Sequence, residues 1–218
     1  MNVLAIDSAT EVLALSATRG DSWASFSLCR GLQHSPALLP LVEKLLSELG
    51  MAASDLEMLV CSLGPGSFTG IRIGLATALG IGRGRGIPVV GVSTLDAIAW
   101  PWNAHDGDVF PVIDARKGKV YTARFRAGAR HGDYMDISPG DLGALIGTAE
   151  RPVLVGPDAP TIRGLLGEAG RGVPVADSLD PRALLRLGME QATLKSNHHA
   201  PLRPLYLRKS EAEAASGR

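Results

Sequence analysis

A chain of 218 residues, 45% hydrophobic and 20% charged, carries enough apolar material for one large core or two small ones and lacks the polar bias of a disordered polypeptide. Lysine plus arginine and aspartate plus glutamate balance at 22 each, which excludes the cationic excess that stand-alone binding to a phosphate backbone requires. The two cysteines, Cys29 and Cys61, lie far apart in apolar runs; this excludes a disulfide framework and predicts two buried free thiols in a reducing compartment.

Residues 1–7 enter an apolar strand at once, with no basic leader or cleavage site, and no apolar run is long enough to span a bilayer. The expectation is a cytoplasmic protein that does not engage a membrane. Residues 3–7, 13–18 and 23–29 read as a strand meander. Ser35 and Pro36 are placed as the N-cap and first position of a helix over 37–49, stopped by Gly50 and kinked by Pro40. A strand over 58–63 runs into Gly64-Pro65-Gly66-Ser67-Phe68-Thr69-Gly70, which opens a second helix reaching about residue 82. A strand over 87–92 and a short helix over 94–100 complete an α/β layered unit.

The stretch 101–108, rich in Pro, Asn, Asp and Gly, marks a boundary. Beyond it, strands are predicted over 109–114 and 120–126 around a basic turn at 115–119. A loop is expected over 126–139, a last helix over 181–195, and an extended end over 201–218. Ile6-Asp7, a turn and Val12 are echoed by Ile113-Asp114, a turn and Val120; the run 60–65 is echoed by 151–157. These echoes indicate a duplicated lobe whose second copy is shortened. The expected domains are 1–100, 101–208 and a disordered tail over 209–218.

The glycine turn has two readings. Its N–H groups, with the hydroxyls of Ser67 and Thr69, can face an anion at a helix start; on that reading Asp7, Gly64, Gly66, Ser67 and Thr69 form an anion or nucleotide loop. Alternatively, the glycines let backbone approach backbone. The sequence is neither a P-loop nor a dinucleotide fingerprint. In the helix that follows, Gly70, Gly74, Ala78 and Gly82 recur every fourth residue, beside an apolar row of Ile71, Leu75 and Leu79. Repeated helical glycine costs roughly 1 kcal/mol each against alanine, which makes sense where another helix packs very close. The first helix is over-apolar: Leu38, Leu39, Leu41, Val42, Leu45, Leu46 and Leu49 exceed the stripe that one sheet requires. The excess is met either by a second molecule or by burial within the single chain; on the first reading the partner face comprises Leu38, Leu41, Val42, Leu45, Leu49, Gly70, Ile71, Gly74, Leu75 and Ala78.

The runs at 6–10, 34–35, 64–74 and 91–95, with Asp114-Ala115-Arg116-Lys117-Gly118-Lys119-Val120-Tyr121 and Pro204-Leu205-Tyr206-Leu207-Arg208, resemble the TsaB (YeaZ) family along nearly the whole chain. The stretch 127–200 carries little of the likeness. The resemblance implies a two-lobed actin-like (ASKHA, ribonuclease H-like) fold with a shortened second lobe. It also implies a non-catalytic dimerisation subunit in forming N6-threonylcarbamoyladenosine at tRNA position 37. The implied partners are a TsaD-like catalytic paralogue docked on the two first-lobe helices and a TsaE-like ATPase; the same face can form a homodimer in isolation, and tRNA is met only through the complex.

No catalytic residue, metal ligand or cofactor is expected. The paralogue's two metal-binding histidines align with Thr94 and Ile98, and the histidines at 34, 105, 131, 198 and 199 include no helical i, i+4 pair. His34 reads as a capping or packing residue. Asp7 and Asp114, each ending the first strand of its lobe, either face a metal and phosphates or accept hydrogen bonds from turn N–H groups. The first possibility keeps a nucleotide-binding ATPase or kinase as a rival; a metal-dependent hydrolase is the second rival. Arg116, Lys117 and Lys119, with Arg83 and Arg85, contact tRNA or an acidic partner surface, or are simply solvated.

Overall fold

The computed structural model describes residues 1–29, 34–177, 179–194 and 202–208. The first half contains β1 (Val3–Asp7), β2 (Val12–Arg19), β3 (Ser22–Cys29), α1 (Ser35–Glu48), β4 (Met58–Ser62), α2 (Phe68–Arg85), β5 (Val89–Val92) and α3 (Thr94–Ala99). The second contains β6 (Asp108–Arg116), β7 (Lys119–Arg126), β8 (Ala129–Ile137), α4 (Pro139–Gly147), β9 (Val153–Val155), α5 (Ala159–Leu165), β10 (Val175–Ala176) and α6 (Pro181–Leu194).

The first sheet has the order β3-β2-β1-β4-β5 and the second, read the same way, β8-β7-β6-β9-β10. In both, the first three strands of the lobe pair antiparallel and the last two join in parallel. Asp7 pairs with Ala14 and Asp114 with Val120, so the echo between residues 6–12 and 113–120 is a structural repeat. The echo of 60–65 in 151–157 is one too, joining β4 to β9; Gly64 and Gly156 both carry positive φ, at 96° and 118°. Two copies of this sheet make the actin-like fold.

Alternation along the strands sorts the first core into two layers. Leu4, Ile6, Leu13, Leu15, Leu59 and Cys61 face α1 and α2. Val3, Ala5, Met58, Val60, Val90 and Val92 face α6. A sheet covered on both faces explains strands that read as continuous apolar runs.

Several expectations change. The chain crosses back after the second sheet, and α6 packs on the first: Ser16 Oγ donates to the Pro181 carbonyl at 2.7 Å, and Gly188 has no room for a side chain because its Cβ would lie 2.4 Å from Val60. Residues 181–194 therefore belong with the first lobe, although the sequence boundary placed them in the second. The loop expected over 126–139 is largely strand β8. Its polar residues sit on an exposed sheet edge, and its connection to β7 is the pair Ala127-Gly128, both with positive φ (49° and 75°), a two-residue hairpin without the usual Asn-Gly signal. Cys29 is exposed on edge strand β3, and only Cys61 is buried. His34, not Ser35, takes the N-cap position of α1. The tail over 209–218 and His198-His199 lie outside the described residues.

Candidate docking face and interlobe cleft

The inner surfaces of α1 and α2 are covered by the chain itself. Leu38, Val42 and Leu45 of α1 and Ile71, Leu75 and Ala78 of α2 are buried in the first lobe. Gly70 and Gly74 face inward as well: a Cβ on Gly70 would lie 2.1 Å from the Ser8 carbonyl oxygen, and one on Gly74 2.3 Å from Ser8 Oγ. Gly82 presses on Val89 in the same way. The expected partner face is therefore corrected at eight of its ten residues, leaving Leu41 and Leu49 half-buried. The glycine row does serve a close approach, but to the strand-end turn after β1 rather than to another molecule.

The outer surface of α2 is a second small-residue row that sequence reasoning passed over. Ala76, Gly80 and Gly84 are exposed, and a Cβ on Gly80 or Gly84 would meet nothing within 4 Å among the described residues. Arg72 and Thr69 continue this face toward the start of the helix. On α1, Leu39 is 54% exposed. Two rows of small residues half a turn apart are hard to tell apart by spacing alone. What separates them is the apolar neighbour: Ile71, Leu75 and Leu79 accompany the inward row, whereas arginines accompany the outward one.

At the glycine turn, Ser67 N–H donates to the Ala9 carbonyl at 2.7 Å. Ser67 Oγ caps α2 by accepting the Gly70 N–H at 3.2 Å. Gly66 must lack a side chain because its Cβ would stand 2.2 Å from the Ala9 oxygen. Two donors an anion would use are thus already engaged, and the backbone-approach reading accounts for the glycines. Asp7 is sealed beneath this turn, its Oδ1 accepting the Ala9 N–H at 3.0 Å. Burial raises its pKa above the carboxylate norm, against the opposing pull of that N–H, the Ser62 hydroxyl and His34. His34 is buried; its Nε2 lies 2.8 Å from the Thr10 carbonyl, so that nitrogen carries the proton, as a packing residue would.

Between the lobes lies a cavity of 480 Å³, walled by Glu11, Pro65 and Phe68 from the first lobe, Asp114 and Tyr121 from the second, and residues 205–208. Asp114 Oδ1 accepts the Arg116 N–H at 2.7 Å, the same turn-closing bond that Asp7 makes. Asp158 Oδ2 accepts the Asp114 N–H at 2.9 Å; burial raises its pKa, and the nearby charges of Asp114 and Glu11 push it the same way. Arg116 bridges the cleft to Glu11 at 2.5 Å. Arg116 and Lys117 have φ of 61° and 54°, a left-handed turn that residues other than glycine rarely adopt. Among the described residues, no group of three or more His, Cys, Asp or Glu side chains is placed to hold a metal, and no helix is long and apolar enough to cross a membrane.

A family model described as TsaD, tRNA N6-adenosine threonylcarbamoyltransferase, matches residues 31–149. The tRNA threonylcarbamoyladenosine biosynthesis protein TsaB of Bacillus subtilis is 33% identical over 98% of this chain and 97% of its own length. The chain belongs to the TsaB family. The TsaB protein of Escherichia coli is 39% identical over 61% of this chain and 60% of its own length. An uncharacterized protein of Mycobacterium leprae is 37% identical over 75% of this chain, a match spanning 49% of that protein. The solved structure of YeaZ from Pseudomonas aeruginosa superposes with a TM-score of 0.77 at 25% identity, covering 94% of this chain and 99% of that one. The two-lobed architecture of this TsaB-family chain is thus the architecture of YeaZ.

Within that family frame, Thr94 and Ile98 sit one turn apart in α3, both buried. The features of the cleft that sequence reading missed are Asp158, the Glu11–Arg116 bridge and the wall formed by residues 205–208. Asp158 stands where the first lobe has Gly66, so the echo of 60–65 in 151–157, carried one residue further, points to it.

Proposed function

We propose that this chain is a non-catalytic docking subunit in the formation of N6-threonylcarbamoyladenosine on tRNA, and that it binds a TsaD-like catalytic paralogue through the outer faces of α1 and α2. The carrying observation is the outward row Ala76, Gly80 and Gly84, exposed in the structure, with nothing among the described residues within 4 Å of a Cβ on either glycine. A helix whose exposed face is thinned to Ala76, Gly80 and Gly84 invites close helix packing, and the exposed Leu39 supplies apolar area on α1. The names of the TsaB relatives and of the TsaD family model support the pathway. The buried Thr94 and Ile98, at the positions of the paralogue's metal-binding histidines, support a role without catalysis. A balanced net charge fits tRNA being met through the complex. In the absence of the paralogue the same face pairs two copies of the chain, and a TsaE-like ATPase joins the assembled pair.

The test is the mass of the mixture. Combined with the TsaD-like paralogue from the same organism, the chain is expected to form a stable complex by light scattering after gel filtration. Gly80→Glu, which sets a charge on the open row, is expected to weaken that complex by about 100-fold while leaving the fold intact, because an interfacial carboxylate without a partner is strongly disfavoured. No complex with the unaltered chain, or a complex indifferent to Gly80→Glu, would overturn the reading.

A further inference from the structure

Residues 202–208 run across the cleft and are anchored in both lobes. On the first lobe, Leu202 joins the core beneath α1 and α2, and Leu205 N–H donates to the Leu63 carbonyl at 2.6 Å. Tyr206 lies against Phe68, ring centroids 4.9 Å apart, and its hydroxyl accepts from Arg72 Nε at 3.1 Å. The Arg72 guanidinium covers the other partner, 3.6 Å from the Phe68 ring centre. At the next residue the chain passes to the second lobe. Leu207 packs into that core, and the Arg208 guanidinium grips Asp136 of β8 with both carboxylate oxygens, at 2.9 and 3.0 Å.

We propose that residues 202–208 are a releasable strap that clamps the two lobes together and closes the interlobe cavity, whose wall they form from Leu205 to Arg208. Three features argue for a clamp rather than a stretch of chain that merely passes by. The anchors change sides once within seven residues, Leu202, Leu205 and Tyr206 holding the first lobe and Leu207 and Arg208 the second, so any widening of the cleft must break one set. The second-lobe anchor is a paired fork-to-carboxylate contact, the strongest geometry for a charged pair. The first-lobe anchor fits closely: a side chain on Gly64 would come within 3.1 Å of the Leu205 carbonyl oxygen as well as 2.7 Å of Ile71 Cδ1. Release is built in as well, because the Arg208 and Asp136 side chains keep 32% and 19% of their exposure, so water and salt reach the pair.

Hydrogen exchange of the full-length protein tests this. Arg208→Gln is expected to speed exchange about tenfold at the Leu205 amide and in residues 64–68 and 114–118, with β1 and β4 unchanged, as local opening would give. Reversing the pair, Arg208→Asp with Asp136→Arg, is expected to restore the slow rates. Tyr206→Phe, a milder change that keeps the ring, should give a smaller acceleration at the same sites. Unaltered exchange in Arg208→Gln would overturn the proposal. So would acceleration spread evenly over both sheets, which would make the contact a general stabiliser and not a clamp.

Discussion

In the first lobe, the turn after β1 is held shut by backbone. Gly66 and Gly70 let the start of α2 press onto the carbonyls of Ala9 and Ser8, and Asp7 disappears beneath them. In the second lobe, the matching turn after β6 is held by a side chain: Asp158, at the start of α5, accepts the Asp114 N–H. That turn stays half open, with Asp114 lining the cavity. The helices differ in proportion, since α2 has 18 residues where α5 has seven. Glycine thus does two jobs at once in α2. It seals the turn on one side and leaves a long face of small residues on the other, whereas α5, whose turn is held by a carboxylate, is too short to offer a comparable platform.

The largest effect is expected where this seal is broken. Gly70→Ala drives a methyl group into the Ser8 carbonyl and should cost about 3 kcal/mol or more, as overpacking against backbone does. The checking measurement is the urea midpoint. Gly80→Ala, ten residues on and facing open space, should instead hold or raise stability, by up to about 1 kcal/mol from helix propensity. If the two substitutions behaved alike, the division of α2 into a sealed and an open face would be wrong. Glutamate at Leu45 or Gly74 tests folding for the same reason and says nothing about docking, because both positions are covered by the chain's own atoms.

The second lobe gives a smaller response. Asp158→Ala leaves the Asp114 N–H without its acceptor and is expected to cost about 1 kcal/mol, as loss of one hydrogen bond in a half-open site does. The loss should be confined to the turn over 114–118, read as local exchange. A global loss as large as that of Gly70→Ala would mean that the two turns are equally structural and the contrast between the lobes is only one of chemistry.

Much of this contrast was legible in the sequence, and the rest was not, for physical reasons. The echo of Ile6-Asp7 in Ile113-Asp114 exposed the repeat because a strand-end aspartate that closes its own turn is a local signal. The glycine row of α2 was legible as a demand for close approach. Its direction was not, because spacing fixes which residues share a face and says nothing about what that face meets. Strand β8 and helices α4 and α5 were missed because short, polar or edge elements draw their stability from tertiary neighbours rather than from pattern. The cleft depends on residues 205–208 meeting residues 63–68 and Asp136, pairings too far apart in sequence to leave a periodic trace.

The last expected effect concerns Asp7, and it separates the sealed turn from the open one by pH. Burial raises the Asp7 pKa above its ordinary value of 3.8. Between those two values the folded chain holds a proton that the unfolded chain has released. Stability must therefore fall as pH rises from about 4 through that window, and level off above it. Asp7→Asn keeps an oxygen to accept the Ala9 N–H and removes the titration. Its urea midpoint should consequently lose the downward slope that the unaltered protein shows over that window, with the gain over the parent fully developed above it. A parent whose stability instead rose through the same range on account of Asp7 would place this carboxylate in a solvated or cation-paired setting. The first lobe's turn would then be as open as the second's, and the sealing role of Gly66 and Gly70 would fail with it.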